Sequence, residues 1–187
     1  MSSATRKPAA TLSDLYQAKV KSELIAGRIV HLMPTDHRPN AIGGEIFVSL
    51  RQHARATGRG EAYTENMGFT VPELSSGREP FSPDASFYDG PLPDDDMAFV
   101  AGPPTFAVEV LSKSDYGDAA EAGPAARRAD SFQAGTLAVW DLDPRARCIC
   151  SYQGGAPDRP VLFIEGQVAD AGPAVPGWQV KVDDLFA

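Results

Sequence analysis

The chain has 187 residues, with 17 Lys+Arg against 25 Asp+Glu and a formal net charge of −8. That length fits one domain, and a 43% hydrophobic content can build a real core, which excludes wholesale disorder. The acidic balance argues against a strongly salt-driven, high-affinity nucleic-acid binder, although segregated charge leaves DNA open as a partner.

Residues 1–11 are small, polar and Pro-containing and read as a disordered tail, with a single domain over residues 12–187. The start of the chain has no apolar h-region, and no apolar run approaches the roughly 18 residues of a membrane span, so no membrane partner and a cytoplasmic location are expected. Residues 13–21 predict a short helix capped by Ser13 or Asp14. ELIAGRIVHL predicts a β-hairpin turning at Ala26-Gly27, and MPTDHRPN a loop. Over residues 41–56, Ile42, Ile46, Leu50 and Ala54 recur every fourth position, the mark of an amphipathic helix weakened by Gly43 and Gly44.

Two short strands follow, at residues 62–64 and 68–71. Residues 81–88 read as a strand, with Pro83 at its start or on an edge. Asp94, Asp95 and Asp96 sit in a Pro-rich stretch that reads as a solvated turn. Residues 106–111 (FAVEVL) are apolar except for Glu109, as in a central strand covered on both faces. Residues 125–134 form a helix stopped by Gly135. Residues 136–142 make another buried strand, and residues 147–152 and 161–165 look like edge strands. Cys148 and Cys150 are too poorly spaced along one strand for a disulfide and read as free thiols. The tail folds back with Trp178 and Phe186 as anchors. Strands come in runs rather than in βα alternation, so the fold class is α+β: a mixed, mostly antiparallel twisted sheet flanked by helices.

Glu109 poses a chemical question, because a carboxylate inside a buried strand needs a raised pKa, a cation or a metal. Asp84 poses it again at the start of its strand. Two carboxylates on neighbouring strands can share a divalent cation, and magnesium suits an all-oxygen site that keeps waters for chemistry. An isolated Glu of this kind is also often paired with an Arg or Lys, and both readings stay open at this point.

SPDASFY, FAVEVLSKSD, a helix ending in QAG, and AVWDLDP, in that order, resemble the core of the Uma family of putative restriction endonucleases, a branch of the PD-(D/E)xK nuclease superfamily. ELIAGRIVHLMP, TENMGFTVPE and VPGWQVKVDDLF agree. The resemblance implies a restriction-endonuclease-like fold and a metal-dependent endonuclease that hydrolyses DNA with Mg²⁺ or Mn²⁺ held by Asp84 and Glu109. It implies a catalytic lysine as well. Leu111 stands where many superfamily members have it, and the helix lysine usual in this family aligns with Arg127, its tyrosine with Ser131. Arginine stays protonated, so it cannot act as a general base, though it can orient a phosphate. Arg127 would lie on a solvated helix face or pair with a Glu, and Lys113 is the second candidate for the role. His37 matches a family-like histidine, and Glu45, two turns further, is a possible accessory carboxylate. Cutting both strands of DNA implies a homodimer. The competing reading is a catalytically degraded member acting as a nucleic-acid or protein interaction module, separated from the first by whether the groove at Asp84 and Glu109 is basic.

Overall fold

The computed structural model describes residues 9–117 and 121–187. In chain order its elements are α1 (Leu12–Tyr16), the hairpin β1 (Ser22–Ile25) and β2 (Arg28–His31), α2 (His37–Thr57), β3 (Glu61–Thr64), β4 (Phe69–Thr70), β5 (Pro80–Phe81), β6 (Ala85–Tyr88), β7 (Val100–Ala101) and β8 (Phe106–Val110). A one-turn 3-10 helix at Lys113–Asp115 leads towards α3 (Ala122–Ala134), followed by β9 (Ala138–Asp143), β10 (Cys148–Gln153), β11 (Ala156–Ile164), β12 (Val168–Asp170), β13 (Gln179–Lys181) and α4 (Val182–Leu185). Among the described residues no helix is long and apolar enough to cross a membrane.

Six strands form the central sheet in the order β11-β10-β9-β8-β6-β3. Neighbours run antiparallel except β8 and β9, which are parallel and joined by the crossover that carries α3. The fold is thus the mixed, mostly antiparallel α+β arrangement expected. β10 corrects one detail, being interior between β9 and β11 rather than an edge. Its weak alternation looks edge-like because its neighbour β11 is itself largely exposed.

Alternation along β8 divides the two faces. Phe106, Val108 and Val110 point into a core shared with Trp140 and Leu142 of β9 and with Ile42, Ile46 and Leu50 of α2. Trp178 and Phe186 return from the tail into the same core. Both indoles are satisfied as buried Trp must be: Trp140 donates to Ser151 Oγ at 2.9 Å and Trp178 to Ser49 Oγ at 3.0 Å. Ala107 and Glu109 of β8 therefore face the other side, where α3 lies over β9.

Local details differ from the sequence pattern for identifiable reasons. The cap of α1 is Thr11, not Ser13 or Asp14; its hydroxyl accepts from Asp14 N while the Asp14 carboxylate accepts from Thr11 N, a reciprocal box that ends at Tyr16. The expected tail over residues 1–11 falls outside the described residues as far as residue 8; beyond it, Ala10 N–H donates to Gly27 O at 2.8 Å. α2 starts four residues before the expected position because Pro39, in its first turn, needs no N–H partner. Gly43, which weakens α2 by propensity, has a packing reason: a Cβ there would stand 3.4 Å from Asp84 O, so glycine lets the helix lie against the backbone of that residue. The strand expected over residues 81–88 breaks at Ser82-Pro83-Asp84 into β5 and β6, which sit in different sheets.

Candidate active site

The break between β5 and β6 sets Asp84 at the mouth of the central sheet. Asp84 N–H donates to Val108 O at 3.0 Å, continuing the register that pairs Ala85 with Val108. Asp84 therefore stands across from Glu109, and Glu109 stands beside Asp141 of β9. Three carboxylates thus occupy adjacent register positions on three neighbouring strands. The Asp84 carboxylate also accepts from Val110 N–H at 2.8 Å, which draws it over the end of β8. Asp84 and Glu109 share a cleft of about 630 Å³ with Lys113 and Arg127.

α3 supplies the counter-charge. Its Arg127 lies 3.1 Å from Glu109 Oε2 through Nε and 3.2 Å from Asp115 Oδ1 through Nη2. The Arg127 side chain is only 28% exposed, so of the two expectations for it the solvated face is corrected and the Glu-paired one holds: the guanidinium is folded inward between two carboxylates. Arg128 makes a parallel pair of contacts with Asp141 and Glu121. A third arginine, Arg78, joins Glu23 and Asp130, each at 3.3 Å. Buried acid in this molecule is thus repeatedly bridged by arginine.

The bridging does not cancel the cost of burial. Burial raises the Glu109 carboxyl to about 8, with the charge of Asp84 adding to the rise and Arg127 opposing it. Asp84 is likewise raised by burial, against the Val110 hydrogen bond and the charge of Lys21. Asp141 is raised to about 6 by burial despite Arg128. Asp115 behaves oppositely: although burial disfavours its charge, bonds from Ser112 and the neighbouring Arg127 hold it below the usual carboxylate range. A carboxyl at about 8 when folded and 4.5 when free binds more protons in the folded state between those values, so its contribution to stability falls as pH rises through that window. The unfolding free energy of the metal-free protein should therefore decline from pH 4.5 towards pH 8, and Glu109→Gln should flatten the slope, measured by urea denaturation across that range. An unchanged slope in the variant would show that Glu109 is not the titrating group.

A family profile described as "Uma2: Putative restriction endonuclease" matches residues 9–183. The chain belongs to this family. A crystal structure titled as that of a putative nuclease belonging to DUF820, from Anabaena variabilis, shares the fold at a TM-score of 0.72, with 19% sequence identity over 94% of this chain and 97% of that one. No curated protein matches the sequence.

In this Uma2 chain the expected site residues fall into two groups. Asp84, Glu109, Arg127 and Lys113 line one cleft. Lys113 opens the 3-10 turn, is exposed, and donates its backbone N–H to Asp36 Oδ2 at 3.4 Å. His37 opens α2 and Glu45 lies two turns on; both are exposed, and neither is among the residues that line the cleft. Ser131, at the position of the family tyrosine, is buried and bonds back to Arg127 O. Sequence reasoning missed Lys21, Glu23 and Asp141. Glu23 and Asp141 carry the same signal as Glu109, an acid inside an apolar strand (ELI and VWDL), and were legible on those grounds. Lys21 sits in the turn before β1, where nothing marks it. Among the described residues, no group of three or more His, Cys, Asp or Glu side chains gathers to hold a metal ion.

Proposed function

We propose that this protein is a metal-dependent endonuclease that hydrolyses DNA phosphodiester bonds at the cleft of Asp84 and Glu109. The observation that carries this reading is the pairing of two buried carboxyls, both raised above the usual carboxylate range by burial, at facing positions of β8 and of the residue that leads into β6. Such a pair fits a hard divalent cation, because magnesium needs only one or two carboxylates when waters and substrate oxygens complete its shell. Asp84 and Glu109 would hold Mg²⁺ or Mn²⁺, which supplies Lewis acidity towards a phosphoryl oxygen and an acidified water. The Val110 N–H fixes one Asp84 oxygen and so orients the other. Arg127 offsets the charge of Glu109 in the free protein and orients phosphate oxygens in the complex; it stays protonated and moves no proton. Lys113, exposed at the rim, is the second cation for the phosphate.

Cutting both strands of a duplex takes two such clefts, so the active form in this reading is a homodimer. Of the edge strand β11, the stretch with Pro157 and Pro160 is guarded against pairing, and the exposed Val161, Leu162 and Ile164 are the part open to a second copy.

One observation favours a second reading, an interaction module without catalysis. Lys21, Arg78, Lys113 and Arg127 face six carboxyl side chains on the cleft wall, and even with Glu109 holding its proton to about pH 8 the groove is not basic. A single bound divalent cation would bring that wall to formal neutrality, and the two readings therefore separate on metal. In a supercoiled-plasmid nicking assay with Mg²⁺ and Mn²⁺, wild type should nick and Asp84→Ala should not. Arg127→Lys loses the bridge to Asp115 but keeps a charge for phosphate, so it should retain more cleavage than Arg127→Ala. If wild type nicks with neither metal, the interaction module is the better reading; if Lys113→Ala loses activity while Arg127→Ala keeps it, Lys113 holds the phosphate role.

A further inference from the structure

Beside the Asp84–Glu109 cleft lies a second hollow of about 570 Å³, and the two share Lys21, Glu23 and Ser82 as a common wall. Its side is built from a stacked aromatic pair: the rings of Tyr16 and Phe99 lie 4.4 Å apart at 19°. Phe99 N–H donates to the Tyr16 hydroxyl at 2.9 Å, which fixes the tyrosine in place. Gly68 makes room for the arrangement, since a Cβ there would come within 2.6 Å of the Phe99 ring. Tyr16 is nevertheless 45% exposed, so aromatic area is left open to a further flat partner.

The polar groups around this hollow point to the same kind of partner. Asn66 holds an uncommon positive φ of 78° and presents an exposed amide on the wall, a donor and an acceptor side by side. Lys19 and Lys21 stand on the same wall, Lys21 at 3.5 Å from Glu65, and the Glu23 carboxyl of the shared wall is held by Arg78 at 3.3 Å. At the junction of the two hollows, the Ser82 hydroxyl oxygen is buried and has no hydrogen-bond partner among the described residues. An aromatic face, an amide edge, lysine ammoniums and an unmet hydroxyl next to a phosphodiester cleft match one ligand class, a nucleotide with its base turned out of the stack.

We propose that this hollow is a subsite for an unstacked nucleobase flanking the phosphodiester that lies over Asp84 and Glu109. The proposal rests on the nuclease reading and adds the substrate form to it. The base stacks on Tyr16, Asn66 hydrogen-bonds its edge, and Lys19, Lys21 and Ser82 hold the phosphate between the two hollows. Because a base inside a duplex must leave its neighbours to reach such a platform, the protein prefers single-stranded or frayed DNA at this position.

Fluorescence anisotropy with a short fluorescein-labelled single-stranded deoxyoligonucleotide, in EDTA so that nothing is cut, tests this beside the matching duplex. Wild type should bind the single strand more tightly than the duplex. Tyr16→Ala should weaken single-strand binding about tenfold, in the range found for loss of one base stack, while Tyr16→Phe, which keeps the ring and loses only the bond from Phe99 N–H, should weaken it less. Thermal melts check folding, and Asn66→Ala, on an exposed loop, gives a second reading by changing the preference among the four homopolymeric strands. Single-strand binding untouched by both Tyr16→Ala and Asn66→Ala, or absent in wild type, overturns the subsite. Tyr16-dependent binding without plasmid nicking keeps the subsite and sinks the nuclease reading; nicking with Tyr16-independent binding does the reverse.

Discussion

Replacing Arg128 with alanine should destabilise the protein by about 3–5 kcal/mol at pH 8, the scale for stranding a buried charge. The Arg128 and Asp141 side chains are 11% and 9% exposed, and the guanidinium contacts the carboxylate directly. Asp141 already titrates at about 6 with its partner in place. Without Arg128 its folded-state pKa must climb further above the unfolded value. The penalty is then largest where Asp141 would be charged and shrinks as pH falls and the carboxyl takes up a proton. Urea denaturation at pH 5 and pH 8 should show this difference, and Asp141→Asn in the Arg128→Ala background should recover most of the loss at pH 8. Arg128 also lies over the Tyr152 ring at 4.1 Å. An equal loss at both pH values would assign its contribution to that ring contact rather than to charge.

Divalent metal should produce the second large effect. With Mg²⁺ at a hundredfold excess over its Kd, mass action adds about 2.7 kcal/mol to stability, read as a rise in Tm. Asp84→Asn should abolish the gain. The metal must displace the proton that Glu109 holds up to a pH of about 8, so half-saturation should move to lower Mg²⁺ as pH rises from 6 to 8. An equal shift in wild type and Asp84→Asn would locate the cation elsewhere, with the exposed Asp94–Asp96 run the first place to look. The structure shows that run as a turn in which Asp95 Oδ1 accepts Met97 N–H at 2.9 Å, in line with the solvated reading of its sequence.

The parts of the fold legible in the sequence were those set by one strong local signal. The four-residue spacing of Ile42, Ile46, Leu50 and Ala54 marks α2, Ala26-Gly27 marks the hairpin, and the unbroken FAVEV marks β8. Boundaries were less legible because they depend on caps and tertiary pairing. Thr11 caps α1 only through the return bond from Asp14, and β10 is interior only because β11 pairs beside it. At the site, acids inside apolar strands marked Asp84 and Glu109 as residues in need of a partner, and the family resemblance put them together. Which arginine meets which acid was not legible, because Arg127, Arg128 and Arg78 reach across 13 to 55 positions of chain to Glu109, Asp141, Glu23 and Asp130, and the adjacent Arg127 and Arg128 of α3 take different partners. Alternation and periodicity say which face a residue occupies, not which charge it meets there.

The parallel pairing of β8 with β9 obliges the chain to leave one end of the sheet and return over its face before it can re-enter. That return path is the segment that bears Lys113, Arg127 and Arg128, so the arginines that meet Glu109 and Asp141 are both carried on a single connector. The row itself is pinned by strand register and cannot drift. The acids are placed by strand register and their arginines by the phase of one helix, so the two sets of partners are fixed by different parts of the chain.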